Sequence, residues 1–201
     1  MKVLKFDSEE TWLEARLGKI TGTRAKEVMP KARGATGYRS GFYELIAERI
    51  ALPHDGENVM DRGKRLEEEA IERFVKETGK KAKRELVLCV RDDNEAIAYS
   101  PDALIGKTED VEVKCLSSAR HIEAWMTQEI PSEYESQIIQ GFVVNDKLKT
   151  RYMVFYDPRC PKDFFYLTIH RKDMEEKIEE YLTLERQVLQ KVAELEAQLT
   201  F

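Results

Sequence analysis

The spacing of apolar residues changes near Gly79, and that change restricts the folds that the chain can adopt. Up to Gly79 the apolar residues recur at helical spacing, which predicts helices over residues 8–16, 42–52 and 61–78. After Gly79 the spacing falls to two, which predicts short strands over residues 85–90, 96–99 and 111–116.

The second half of the chain returns to helical spacing and then alternates again. It predicts a helix containing Ile138 and Phe142, strands over 151–156 and 164–169, and a long C-terminal helix over about 172–201. The order of elements predicts an α/β or α+β fold in which helices flank a central mixed sheet. The chain has 201 residues without a linker-like stretch, so we expect one domain over residues 1–201.

Composition excludes several classes of protein. The chain is 42% hydrophobic and 35% charged, and it contains neither an apolar run long enough to cross a bilayer nor a segment resembling a secretory signal. We therefore expect a cytoplasmic protein that is not bound to a membrane. Three cysteines without a C-x-x-C pair predict neither a disulfide framework nor a zinc site, and buried free thiols explain them better.

The formal net charge of -5 argues against a nucleic acid partner, but the charge is unevenly spread. Residues 30–41 form a segment rich in glycine that carries Lys31, Arg33 and Arg39 and contains no acidic residue. Such a segment is typical of a flexible cationic loop, which would suit a polyanion. An ordinary solvated loop is the alternative.

Two carboxylates and a lysine are spaced so that they can meet at one point. Asp102 is followed ten residues later by Glu112, and Lys114 comes two residues after Glu112. In a strand, residues two apart point to the same face, so Glu112 and Lys114 should project together. A surface salt bridge on an edge strand is the alternative, but it leaves the preceding Ser100-Pro101 unexplained.

Helical phase selects one further carboxylate from three adjacent glutamates, Glu67 to Glu69. At about 100° per residue the three cannot share one face. Glu67 falls within the apolar stripe of Ala70, Ile71 and Phe74, whereas Glu69 falls outside it. A carboxylate in that stripe is costly unless it is paired or bound to a metal, which argues for a function. A salt bridge to an internal arginine is the alternative.

These carboxylates suit a hard divalent cation. Magnesium and manganese prefer oxygen ligands, and Asp102, Glu112 and Glu67 supply them near Lys114. Metal ions would activate water and stabilise the leaving 3′-oxygen, with Asp102 the best candidate to bridge two ions. The ammonium of Lys114 would orient the water or stabilise charge on the scissile phosphate. The pattern predicts phosphodiester hydrolysis.

With these residues in place, the chain resembles the PD-(D/E)xK nuclease superfamily and, more narrowly, the group of phage lambda exonuclease and the YqaJ viral recombinases. Blocks in the same order carry the resemblance from Trp12 to Arg159. They are residues 16–23 (RLGKITGT), Gly63 with Glu67 and Ala70, Ser100-Pro101-Asp102 with Glu112-x-Lys114, Tyr134 with Gln137 and Ile139, and residues 156–159 (YDPR). The resemblance implies a restriction-endonuclease-like core.

The resemblance further implies a Mg²⁺-dependent exonuclease. Such enzymes digest one strand of linear double-stranded DNA from its 5′ end and leave a 3′ overhang for recombination by strand annealing. By resemblance, Asp102, Glu112, Glu67 and the main-chain carbonyl of Val113 hold two Mg²⁺ ions, for which Mn²⁺ can substitute. Lys114 is the catalytic lysine, and Gln137 positions water or phosphate.

A second set of residues is assigned to the DNA end by the same resemblance. Arg16 corresponds to the arginine that receives the terminal 5′-phosphate, assisted by the hydroxyls of Thr23 and Ser100. Thr23 replaces the usual serine, and Ala103 replaces the glycine that commonly follows the aspartate. Met60 stands where a wedge could separate the terminal base pair, and an ordinary packing role is the alternative.

The resemblance also implies an assembly and partners. Enzymes of this group form a homotrimeric ring around DNA, are encoded by phages or prophages, act in the bacterial cytoplasm and accompany a single-strand annealing protein. The C-terminal helix carries a narrow apolar seam that includes Ile178, Tyr181 and Val188 and packs either on the chain's own core or on another chain. Two other functions stay open: an endonuclease with the same metal centre, and a catalytically silent protein that binds DNA ends.

Overall fold

The computed structural model describes residues 8, 11, 39–51, 59–85 and 87–199. Within them, the helices are α1 Ser40–Ile50, α2 Val59–Thr78, α3 Ser118–Thr127, α4 Ser132–Val144 and α5 Glu175–Leu199. The strands are β1 Cys89–Arg91, β2 Asn94–Tyr99, β3 Ala103–Ile105, β4 Glu109–Lys114, β5 Thr150–Tyr156 and β6 Phe164–His170. A 3₁₀ turn over Arg171–Asp173 precedes α5. Ser8 Oγ accepts a hydrogen bond of 3.2 Å from the Thr11 N–H, as expected of a capping serine.

The central sheet of the described residues has the strand order β3-β4-β5-β6. Strands β4 and β5 are parallel, and the other neighbours are antiparallel. A parallel pair needs a crossover connection, and α3 and α4 supply it between β4 and β5. The predicted fold class, a mixed sheet flanked by helices with a long C-terminal helix, is therefore confirmed.

Helices cover both faces of this sheet. On one face Ala70, Ile71 and Phe74 of α2 pack against Val111 and Val113 of β4. On the other face Ile138, Ile139 and Phe142 of α4 pack against Met153 and Phe155 of β5. Successive residues of β4 thus alternate between the α2 side and the α4 side of the sheet.

Helix α5 begins at Glu175 and packs on the same core as α4. Ile178 is buried, and Tyr181, Leu182 and Leu189 are partly buried against this cluster. Val188, which the seam places among the packing residues, is exposed instead. In the described part of the chain, no helix is long and apolar enough to cross a membrane.

Several predicted boundaries were wrong. The strand predicted over 85–90 is reduced to Cys89–Arg91, and β1 and β2 form a hairpin apart from the four-stranded sheet. The strand predicted over 111–116 runs over Glu109–Lys114. Strand β3 was missed because it has three residues directly after Pro101 and Asp102. Helix α3 was missed because it is short and its Trp125 and Met126 are exposed, which weakens its apolar period.

Candidate active site

The candidate site lies where β4 ends and β3 begins. Ala103 pairs with Val111 in the antiparallel register, so Asp102 reaches the level of Glu112. Glu112 is buried and Lys114 is half-buried, and both side chains lie on the α4 side of the sheet. The Nζ of Lys114 lies 2.8 Å from Oε1 of Glu112. The predicted pairing of Glu112 and Lys114 on one face is present in the structure.

Asp102 is fixed to the backbone of β4 at two points. Its N–H donates to the Val111 carbonyl at 3.1 Å, and its Oδ2 accepts a hydrogen bond of 2.6 Å from the Val113 N–H. Burial and the negative charges of Glu112 and Glu67 raise the pKa of Asp102 to about 7, although the Val113 N–H and Lys114 act to lower it. Asp102 therefore lies within the electrostatic reach of both other predicted carboxylates.

Glu67 approaches from α2, on the opposite side of the sheet from Glu112. Its side chain is 27% exposed, compared with 66% for Glu68 and 44% for Glu69, which is the order that helical phase predicts for the innermost residue. Arg84 Nε lies 3.5 Å from Glu67 Oε1. Glu67 is thus paired with an arginine, but Arg84 is exposed and is not the internal arginine of the alternative.

Helix α4 brings an aromatic ring and an amide to this end of the sheet. The ring centroid of Tyr134 lies 4.7 Å from Lys114 Nζ, a cation–π contact that limits the positions open to the ammonium. Gln137, one turn further along α4, has an exposed side chain, and its main-chain carbonyl accepts a hydrogen bond from Arg151. Tyr134 belongs to the block that carried the resemblance, but sequence reasoning gave it no role.

The donor set fits a divalent cation, although it is not assembled as a ligand cage. Among the described residues, no group of three or more His, Cys, Asp or Glu side chains is close enough to hold a metal ion. The negative charges of Glu112 and Glu67 nevertheless repel the Asp102 carboxylate. A cation bound among the three carboxylates would reduce this repulsion. Oxygen donors with concentrated negative charge are what Mg²⁺ selects.

The residues assigned to the DNA end are only partly within the described chain. Arg16, Thr23, Lys31 and Arg33 lie outside the described residues, and so does the side chain of Met60, whose backbone is in α2. Arg39 occupies the N-cap position of α1 and is half-buried. Ser100 is exposed in the connection between β2 and β3, two residues from Asp102. The contact expected between Ser100 and Arg16 stays a prediction.

Sequence reasoning missed one buried ion pair behind this site. Arg151 of β5 and Asp110 of β4 are fully buried, and their Nε and Oδ1 atoms are 2.8 Å apart. Asp110 lies two residues before Glu112 and shares its face of β4. This spacing could have predicted a second buried carboxylate from the sequence. The arginine could have been sought as its counterpart, because a buried carboxylate needs one.

An aspartate at the edge strand and a Glu-x-Lys strand, on a mixed sheet covered by helices, define the class of PD-(D/E)xK nucleases. The sequence pattern of the YqaJ-like viral recombinase domain matches residues 11–147, well over half of the chain. The chain therefore belongs to the YqaJ-like viral recombinase family. No curated protein matches it.

The fold is shared with solved structures of an exonuclease. LHK-Exo in complex with dAMP is 29% identical, with a TM-score of 0.60 over 94% of this chain and 97% of that chain. A structure of the alkaline exonuclease LHK-Exo from Laribacter hongkongensis is 29% identical, with a TM-score of 0.55 over 95% of this chain and 100% of that chain. Family and fold together make this chain a nuclease of the lambda exonuclease type.

Proposed function

We propose that this protein is a Mg²⁺-dependent exonuclease that degrades one strand of linear double-stranded DNA in the 5′-to-3′ direction. Its product is a duplex with a 3′ single-stranded overhang, the substrate of recombination by strand annealing. The observation that carries the proposal is the position of Asp102 at the level of the Glu112–Lys114 pair, where the negative charge of Glu67 also acts on Asp102.

Four groups would hold the metal ions: the carboxylates of Asp102, Glu112 and Glu67 and the main-chain carbonyl of Val113. When bound, two Mg²⁺ ions, or Mn²⁺ in their place, would supply an activated water and positive charge at the scissile phosphate. The raised pKa of Asp102, caused by burial and two neighbouring negative charges, supports this assignment because a cation would offset both effects.

Lys114 supplies a positive charge that stabilises the scissile phosphate during the reaction. Its ammonium is held between the Glu112 carboxylate and the Tyr134 ring, so it is oriented before DNA binds. A preoriented cation stabilises the charge that develops on the phosphate without reorganisation at the moment of reaction. Gln137, exposed on the same helix as Tyr134, positions water or phosphate beside it.

Recognition of the DNA end rests on the N-terminal part of the chain. Arg16, with the hydroxyls of Thr23 and Ser100, would bind the terminal 5′-phosphate, since a guanidinium offers a planar fork of donors. Lys31, Arg33 and Arg39 would contact the DNA backbone, because phosphate contacts depend on such charges. In that reading Met60 separates the terminal base pair.

The related LHK-Exo structure contains dAMP, a deoxynucleoside monophosphate. That ligand supports release of 5′-mononucleotides, because hydrolysis that leaves the phosphate on the 5′ side yields this class of product. A homotrimeric ring with basic residues in its channel would reconcile the chain's net charge of -5 with a DNA substrate. A single-strand annealing protein would then take over the overhang.

The decisive experiment measures nucleotide release from linear and covalently closed circular duplex, with and without a 5′-phosphate. We expect Mg²⁺-dependent release from linear DNA, faster with the 5′-phosphate, and intact circles. Duplexes labelled at one end should release the 5′ nucleotide first. Cutting of circles at a comparable rate would identify an endonuclease, and end binding without release would identify a catalytically silent protein.

A further inference from the structure

A buried arginine lies directly behind the catalytic strand. Arg151 of β5 stands opposite Asp110 of β4 in the parallel register, and its Nε donates to Asp110 Oδ1 at 2.8 Å. Its Nη2 lies 3.7 Å from Oε2 of Glu112. Glu112 is therefore held by two cations, with Oε1 on Lys114 and Oε2 towards Arg151.

The same guanidinium binds the backbone of α4. Its Nη1 donates to the main-chain carbonyls of Gln137 at 2.7 Å and Ile138 at 2.8 Å. These carbonyls are accessible because Gly141 follows one turn later, and a Cβ built at Gly141 would overlap the guanidinium. The helix and the catalytic strand are thus joined through one side chain.

A contribution to folding stability alone does not explain why this ion pair is buried. Burial of a charged pair costs several kcal/mol in desolvation, and apolar side chains of equal volume often stabilise a core as well or better. Among the described residues, Nη2 of Arg151 has no hydrogen-bond partner, and it is the atom nearest to Glu112. The arrangement does, however, fix the relative position of two parts of the site.

We propose that Arg151 is a positioning residue of the nuclease site. It orients the Glu112 carboxylate and sets the distance between β4, which carries Glu112 and Lys114, and α4, which carries Tyr134 and Gln137. Arg151 has no exposed surface, so it acts through these neighbours and does not touch DNA. The inference rests on the nuclease function proposed above and adds a residue to its machinery.

The test compares Arg151→Lys with Arg91→Lys. Arg91 is a matched control, because it is buried, binds the Val143 carbonyl at the other end of α4 and pairs with Asp146. Lysine keeps the charge at each position but cannot reach three partners at once. We expect Arg151→Lys to lower kcat on linear duplex by about tenfold to a hundredfold with an unchanged KM for DNA, since small misplacements in a site have effects of that size.

A second measurement does not depend on activity. Mn²⁺ binding to the DNA-free protein, followed by electron paramagnetic resonance, should weaken severalfold in Arg151→Lys and stay at the wild-type level in Arg91→Lys. Thermal unfolding of both variants corrects for lost stability, which both are expected to show. If Arg151→Lys retains the kcat and the Mn²⁺ affinity of Arg91→Lys, the inference is overturned.

Gly141→Ala tests the same idea without changing a charge. The added methyl group would displace the Arg151 guanidinium, so kcat should fall again with KM unchanged. This variant decides the matter if Arg151→Lys does not fold, and a wild-type kcat in Gly141→Ala would overturn the inference. Failure of the proposed function is distinguishable, because the wild-type protein would then release no nucleotides.

Discussion

Asp102 and Val113 are joined by a hydrogen bond of 2.6 Å from the Val113 N–H to the Asp102 carboxylate. This bond connects the carboxylate at the sheet edge to the middle residue of the Glu-x-Lys strand. Val113 itself packs on α2 with its side chain, so its backbone is held from both sides. The relative position of Asp102, Glu112 and Lys114 is therefore set by main-chain geometry as well as by side-chain charge.

Lys114→Ala should abolish catalysis and preserve binding. Removal of a preoriented charge at the reacting phosphate typically costs about a hundredfold to a thousandfold in kcat. We expect Mg²⁺-dependent nucleotide release to fall by at least the lower of these factors while DNA ends are still bound, as measured by fluorescence anisotropy. Lys107→Ala, at an exposed turn between β3 and β4, is the matched control and should cleave normally.

Glu67→Gln and Glu68→Gln form a pair of variants that differ in position by one residue. Glu67 lies within reach of Asp102, whereas Glu68 is 66% exposed on the same helix. We expect the Glu67 variant to need severalfold more Mg²⁺ for half-maximal rate, because a ligand with negative charge is lost. The Glu68 variant should retain the wild-type Mg²⁺ curve, and equal curves for both would remove Glu67 from the site.

Asp102→Asn should make the metal-free protein more stable and inactive. The asparagine oxygen can still accept the Val113 N–H, but the buried negative charge beside Glu112 and Glu67 is gone. Because the pKa of Asp102 is raised to about 7 from 3.8, mainly by burial, its charge opposes folding above that pH. We expect the free energy of unfolding to rise by roughly 2 to 4 kcal/mol at pH 8 in EDTA.

Urea denaturation in EDTA measures this effect across pH. The increase in the free energy of unfolding caused by Asp102→Asn should shrink as the pH falls from about 7 towards 3.8. The reason is that the wild-type carboxyl becomes protonated in the folded protein before it does in the unfolded chain. Asp92→Asn, exposed in the turn between β1 and β2, is the control and should change stability little. A less stable Asp102→Asn protein would show that the charge of Asp102 does not oppose folding.

His121 should make stability fall in mild acid. The ring is buried, with Nε2 2.7 Å from the Lys162 carbonyl, and burial lowers the pKa of His121 below 6.5. As the pH drops through 6.5, the unfolded chain takes up the proton before the folded protein does, so folding loses up to about 1.4 kcal/mol per pH unit. Urea unfolding at pH 7.5 and 5.5 should show this loss.

His121→Gln separates this effect from general acid sensitivity. The glutamine variant should be less stable at pH 7.5 but should lose less stability between pH 7.5 and 5.5 than the wild-type protein. His170→Gln changes an exposed histidine and should lose as much stability between pH 7.5 and 5.5 as the wild-type protein does. An equal loss of stability between the two pH values in all three proteins would show that His121 does not cause the loss of stability in acid.

The sequence predicted those parts of the site that depend on local geometry. Alternation in a strand placed Glu112 and Lys114 together, and helical phase identified Glu67 as the least exposed of three glutamates. Both predictions need only the period of one element. The family resemblance extended them to Arg16 and Thr23, which lie outside the described residues and whose roles stay predictions.

The parts that were missed depend on pairing between distant segments. Sequence reasoning placed Arg151 at the start of a strand and gave it no partner, whereas the register of β4 and β5 sets it opposite Asp110 in the core. Strand β3 exists because β4 offers it a partner, since three residues after a proline have little strand tendency of their own. Tertiary pairing therefore overrode local propensity at both places.

The parallel pairing of β4 with β5 also sets how much of the chain the site needs. Glu112 and Lys114 lie on β4, and the strand that carries Arg151 follows in the chain only after α3 and α4. A nascent chain that ends before β5 has the chemical groups without the register that arranges them. The site is therefore complete only in a chain that includes β5.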